Sequence, residues 1–179
     1  MFTRENSVLV VIDFQGNLAR AMDNKEELFD NAQKIIRGMR VFEVPVLATE
    51  QVPAKLGPTI SEIARHLTGV KIIGKENFSC WKDQFFREEL VALNRKQVLI
   101  IGIEAHVCVY QTAMDLMESG YEVQVAADAI SSRTPQNKIT GIQKMGAAGV
   151  GITSAEMALF ELLKTAADPN AKQIFQIVK

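Results

Sequence analysis

The sequence predicts an α/β fold in which a mostly parallel, doubly wound sheet is covered by helices on both faces. Short runs rich in Val and Ile alternate with helical patterns along the chain. The runs are nearly all apolar instead of alternating with polar residues, so both faces of each are buried. No fixed-period repeat or low-complexity stretch interrupts this order, and the 179 residues fit one domain, 1–179.

The first run is "SVLVVID" (7–13), which closes on Asp13. A helix follows over 25–43, with apolar residues at 28, 29, 32, 35, 36, 39 and 42. The second strand is "VPVLATE" (44–50). Pro53, Gly57 and Pro58 make 51–68 an excursion over the sheet edge that ends in a short helix. A weak strand "GVKII" (69–73) precedes Lys75, and a strong one, "KQVLIIGI" (96–103), leads to Gly102 and a polar break. The next helix spans 108–120 and stops at Gly120, a C-cap residue. "YEVQVAAD" (121–128) is the fifth run and "AGVGITS" (148–154) a sixth. Between them Thr134 is the N-cap of a helix with Pro135 in its first turn, and Ser154 caps the helix after the sixth run.

Composition narrows the function. Apolar residues make up 47% and charged residues 23%, the balance of a globular domain able to bury its own core. A net charge of −1 leaves no electrostatic footprint for nucleic acid or an anionic membrane. No apolar run reaches spanning length, and "MFTRENSVLVVIDF" enters a strand at once without the signature of a signal peptide. Cys80 and Cys108 are the only cysteines, which argues for free thiols in a reducing cytoplasm.

In open parallel sheets ligands bind beyond the carboxyl ends of the strands. Those ends hold Asp13, Glu50 and Gln51, Lys75, the "GIEAHVC" segment and Asp128. A carboxylate, an ammonium and a thiol at one edge make a nucleophilic site. A helix N-terminus and a nearby lysine favour the Cys108 thiolate. Asp13 can take the thiol proton and return it to a leaving group. Unsatisfied N–H groups of the first helical turn can hold an oxyanion.

"VVIDFQ", "ATEQVPAKLGPT", "GKENFSC", "GIEAHVCVYQTA", "AADAISSRTPQNK" and "MGAAGVGITSAEMALFELL" resemble, in order and over nearly the whole chain, the isochorismatase-like cysteine hydrolases. The "TEQ…LGPT" segment is most similar to the small isochorismatase-domain-containing subgroup. The resemblance implies a three-layer α/β/α sandwich with a Rossmann-like sheet, in agreement with the pattern. It implies Asp13 as general base, Lys75 as charge stabiliser and Cys108 as nucleophile. It also implies a cis peptide before Glu104, whose N–H with that of Cys108 forms the oxyanion hole. The implied reaction is hydrolysis of a C–N bond in a small amide or carbamoyl compound through a thioester, without a cofactor. A vinyl-ether hydrolase is the alternative, although that chemistry does not require the cysteine. Homo-oligomers (dimers, tetramers or larger) are implied as well. The Asp and two His with which nicotinamidases hold a metal after the second strand are missing from "TEQVPAKLGPT", so no such metal is expected.

Other readings stand beside these. Cys108 alone reads as a buried, inert thiol, and with Cys80 as its resolving partner it reads as a redox centre. Gln15, Gln51, Phe78, Trp81, His106, Tyr110 and Thr134 sit near the strand ends as candidate substrate contacts. Phe78 and Trp81 suit a core role equally. Two His and two Cys do not make a structural zinc site. "GAAGVG" (146–151) follows a helix and precedes a strand, the reverse of a dinucleotide fingerprint, and reads as a helix cap and turn.

Overall fold

A computed structural model describes all 179 residues, Met1–Lys179. Six parallel strands form one sheet in the order β3-β2-β1-β4-β5-β6. They are β1 (Ser7–Ile12), β2 (Val46–Gln51), β3 (Ile72–Lys75), β4 (Gln97–Ile103), β5 (Glu122–Ser131) and β6 (Gly151–Thr153). This is the strand order of doubly wound, Rossmann-like sheets, and the chain reverses its direction of travel between β1 and β4. Ligand crevices open at such a switch point.

The all-apolar strands feed two cores. In β1, Leu9 and Val11 face one layer while Val8, Val10 and Ile12 face the other. The first layer holds helices α2 (Lys25–Val41), α4 (Ser61–Ala64), α8 (Ala155–Leu163) and α9 (Ala171–Val178). The second holds α5 (Gln84–Ala92), α6 (Tyr110–Glu118) and α7 (Pro135–Ala147). Two short helices, α1 (Gly16–Arg20) and α3 (Pro53–Leu56), follow the ends of β1 and β2. The α2 stripe is as the spacing requires, with Leu28, Phe29, Ala32, Ile35, Ile36, Met39 and Phe42 all buried. Thr134 and Ser154 cap α7 and α8, accepting from the N–H groups of Asn137 and Met157.

Four boundaries differ from expectation. β3 is Ile72–Lys75, so Lys75 ends the strand instead of following it. The excursion contains two short helices, α3 and α4, and is tied back by a bridge between Gln15 and Thr59. Cys108 lies in a π-helical turn, Ala105–Val109, ahead of α6. β5 runs on to Ser131 because its pairing with β4 is interrupted, the register passing from Ile100↔Val125 to Gly102↔Ile130. Asp128 falls inside that irregular stretch, and its carboxylate accepts the Ala155 N–H at 2.8 Å, at the start of α8.

Gly102 is where β4 closes on β1. Its φ is +136°, and an added Cβ would sit 2.2 Å from the Ile12 carbonyl oxygen. Gly102→Ala is expected to destabilise the protein by about 2–3 kcal/mol through backbone overlap and an unfavourable φ. Denaturant unfolding beside the wild type checks this, and a change under about 0.5 kcal/mol would contradict it.

Candidate active site

Four adjacent strands deliver the polar residues to one edge. β1 hands the chain to Asp13, whose φ of +54° lies in the left-handed region that Asp tolerates better than most side chains. The Asp13 N–H donates to the Thr49 carbonyl at 3.1 Å, which locks this turn to β2.

The Asp13 carboxylate and the Lys75 ammonium form an ion pair at 2.7 Å, with side chains only 1% and 0% exposed. Lys75 Nζ also donates to Gln51 Oε1 at 2.7 Å and to the carbonyls of Asn77 and Phe78 at 3.2 Å. Burial works against its charge, but the acidic neighbours Cys80, Asp13 and Cys108 outweigh burial and hold its pKa above the ordinary lysine value. Thr49 Oγ1 donates to the other Asp13 oxygen at 2.7 Å and lies 3.7 Å from Cys80 Sγ. Cys80 is fully buried, and burial pushes its thiol up to about 11.

Cys108 is 7% exposed. A helix N-terminus and Lys75 were expected to favour its thiolate; the balance runs the other way. Burial raises the thiol most, the Asp13 charge raises it further, and Lys75 offsets only part. The Asp13 carboxylate and the Lys75 ammonium thus both act on the thiol through their charges. The resting pair is therefore a thiol beside a carboxylate, the arrangement that lets a carboxylate act as base.

The Ile103–Glu104 peptide bond is cis. The Glu104 carbonyl accepts from Val107 and Val109, while the Glu104 N–H has no acceptor. The Glu104 carboxylate is drawn aside to Arg133, accepting its backbone N–H at 2.9 Å and its guanidinium at 3.2 Å. A free backbone donor thus stands four residues before the sulfur, at the head of the turn that carries it.

The seven expected contact residues divide. Phe78 and Tyr110 line a cleft of about 420 Å³ together with Glu76, Lys82, Met114 and Asp115. Gln51 holds Lys75 and donates to the Glu76 carbonyl, so it positions the ammonium. Gln15 is wholly buried and its amide is already used, bonding the Gln51 backbone at both ends and the Gly57 carbonyl. Its side chain braces the excursion and has no group left for a ligand. Trp81 packs edge-on against Tyr121 at 5.4 Å, beside the amino end of β5 and away from the strand ends that hold Asp13. Thr134 is occupied as the α7 cap. His106 Nδ1 bonds Ser132 Oγ at 2.9 Å, which ties the π-helical turn to the end of β5. Thr49 is the site residue that the sequence did not reveal, whereas the Glu104 N–H was expected from the family resemblance and not from residue type. No three His, Cys, Asp or Glu side chains gather in a metal-holding group.

The isochorismatase domain model matches residues 7–157. The chain is 35% identical over 178 residues to the secreted isochorismatase effector Isc1 of Phytophthora sojae, covering 97% of this chain and 85% of that one. It is also 35% identical to isochorismatase domain-containing protein 2 of Rattus norvegicus, covering 98% and 82%. Among solved structures, MAR1 ribonuclease from Caenorhabditis elegans superposes with a TM-score of 0.92 at 30% identity, covering 99% and 91%.

Proposed function

Since this chain belongs to the isochorismatase family of hydrolases, we propose that it is a cysteine-dependent, cofactor-independent hydrolase that cleaves the C–N bond of a small amide or carbamoyl compound. The observation that carries this reading is the convergence of three groups at the switch point. The Asp13–Lys75 pair lies against the Cys108 thiol, and the unpartnered Glu104 N–H heads the same turn.

The steps follow from those positions. Asp13 takes the Cys108 proton as the sulfur attacks the substrate carbonyl carbon. The carbonyl oxygen becomes an oxyanion, held by the N–H groups of Glu104 and Cys108. Collapse breaks the C–N bond, and Asp13 passes its proton to the departing nitrogen, leaving a thioester. Asp13 then takes a proton from water, the hydroxide adds to the thioester carbon, and the C–S bond breaks. The released sulfur recovers the proton from Asp13. Lys75 keeps a cation beside Asp13 throughout and balances the negative charge that moves between carboxylate and sulfur.

The substrate in this reading is a small molecule; the cleft of about 420 Å³ lined by Phe78 and Tyr110 has the size for one, and it lies beside the Lys75 and Cys108 segments without being lined by Asp13, Lys75 or Cys108 themselves. An RNA substrate, as the name of the nematode neighbour would suggest, needs a basic approach. This cleft is lined by two acids, Glu76 and Asp115, against one Lys82. The same reading takes the protein as a homo-oligomer, and the exposed Phe85 and Val91 on α5 are apolar side chains that an interface would cover. Two free thiols suit a reducing compartment such as the cytoplasm. No helix is long and apolar enough to cross a membrane.

Ammonia release over a panel of small amides, ureas and carbamoyl acids tests the reading, with mass spectrometry of the quenched enzyme. The expected result is turnover of at least one panel member and an acyl mass on the peptide bearing Cys108. Hydrolysis of an enol ether with no adduct would assign the site to the vinyl-ether reaction instead. A Cys80–Cys108 disulfide after mild peroxide, with no turnover of any substrate, would assign it to redox chemistry.

A further inference from the structure

A second cleft lies at the other end of the molecule. Helix α2 runs antiparallel to the strands, so its last turns reach the amino edge of the sheet, opposite Cys108. There Arg37, Arg40, Arg65, His66, Gln173 and Gln176 line a cleft of about 390 Å³ between α2, the end of α4 and α9. No Asp or Glu lines it. We propose that this cleft binds a phosphate dianion, either free or carried by a small phosphomonoester.

Two of the three guanidiniums are held in place, and none of the three is neutralised. Arg40 Nη1 donates to the carbonyls of His66 and Thr68 at 2.9 and 3.0 Å. Arg65 donates to Gln33 Oε1 at 2.5 Å and to His66 Nε2 at 3.2 Å. All of these acceptors are uncharged. Arg37 makes no hydrogen bond to the protein, so its whole fork is free. The ion pairs of the chain engage Arg4, Arg20, Lys34, Lys71, Lys75, Lys82 and Arg133, and none of these three arginines. Glu43, one turn past Arg40, lines the adjoining groove, which shares Arg40 and Thr68 with this cleft, and it forms no ion pair with Arg40.

In a protein of net charge −1, this is a local concentration of unbalanced positive charge. His66 registers it: burial lowers its pKa first, and the Coulombic push of Arg65, Arg37 and Arg40 lowers it further. The ligand chemistry follows from the donor set. A carboxylate has two oxygens and satisfies one guanidinium fork. A phosphate presents three or four oxygens and two charges, and so takes up several forks at once. The exposed amides of Gln173 and Gln176, which have no partners, stand at the α9 wall to meet an ester group.

Isothermal titration calorimetry at fixed ionic strength tests this, with inorganic phosphate and with glycerol 3-phosphate as probes. Saturable one-to-one binding of at least one probe is expected, weakened at least tenfold in Arg37→Gln. That variant loses no hydrogen bond or ion pair within the protein, so it is expected to fold as the wild type does, which its unfolding curve checks. The charge-matched Lys55→Gln, on α3, is expected to bind unchanged. The inference fails if neither probe gives saturable heat, if Arg37→Gln binds equally well, or if Lys55→Gln loses as much. Affinity confined to an RNA oligonucleotide would overturn it too.

Discussion

Replacing Cys108 with alanine is expected to lower hydrolysis by roughly 10³-fold or more, because the only group that can form the thioester is gone. The fold should survive, since a lost sulfhydryl at a 7% exposed position removes little buried area. The pH behaviour of the wild type gives a sharper check. Burial and Asp13 keep the thiol protonated at neutral pH. Alkylation by iodoacetamide should therefore be slow near neutrality. Below the thiol pKa its rate should rise about tenfold per pH unit, following the thiolate fraction. Asp13→Asn removes the charge that raises the thiol, so it should speed alkylation while abolishing turnover. That opposition separates a proton-transfer role for Asp13 from a merely structural one. Alkylation that is fast and flat between about pH 7 and 9 would show a preformed thiolate and defeat the base role. Undiminished hydrolysis by Cys108→Ala would defeat the nucleophile.

The sheet was legible because its signal is redundant. Each Val- and Ile-rich run must satisfy two cores, and β1 and β4 have no polar face to confuse the pattern. The α2 stripe was legible for the same reason, with seven positions in phase. Helices α5 and α9 were not anticipated. In α5 only Phe86 and Leu90 are buried, while Phe85 and Val91 are more than half exposed and blur the stripe. Helix α9 is eight residues long and buries only Ala171, Ile174 and Ile177. At the candidate site, charges closing apolar runs marked Asp13 and Lys75, since a strand end is where a buried charge can still find partners. The uncharged residues carried no such mark. Thr49 reads as one more β-branched strand residue, and only the fold places its hydroxyl on Asp13. Gln15 and Gln51 share a residue type and an edge, yet one braces a loop and the other steers an ammonium. Which does which depends on where the 51–68 excursion crosses, and spacing does not encode that. The basic cleft was hidden for a related reason: Arg37, Arg40 and Arg65 come from two segments that read separately as solvated helix surface.

Lys75→Met is expected to destabilise the protein by about 3–5 kcal/mol, because it leaves the Asp13 carboxylate buried without its cation. Asp13→Asn should be costly in the mirror sense, leaving the ammonium with only neutral acceptors. The double variant should be less damaged than the sum of the two, by at least about 2 kcal/mol, since no unpaired charge remains. Full recovery is not expected. Gln51 Oε1 and the carbonyls of Asn77 and Phe78 still lose the donor that Lys75 supplies. Turnover should stay absent in all three variants, so stability and activity part company in the double. The pH dependence has a definite sign. The Lys75 pKa is raised in the folded protein, so its contribution is fully present below the unfolded lysine value. It is lost only as pH climbs through the higher folded value, well above neutrality. Urea unfolding of the four proteins at neutral pH measures the coupling. Strict additivity would mean that the two groups do not depend on each other, and the shared role given to them here would be wrong.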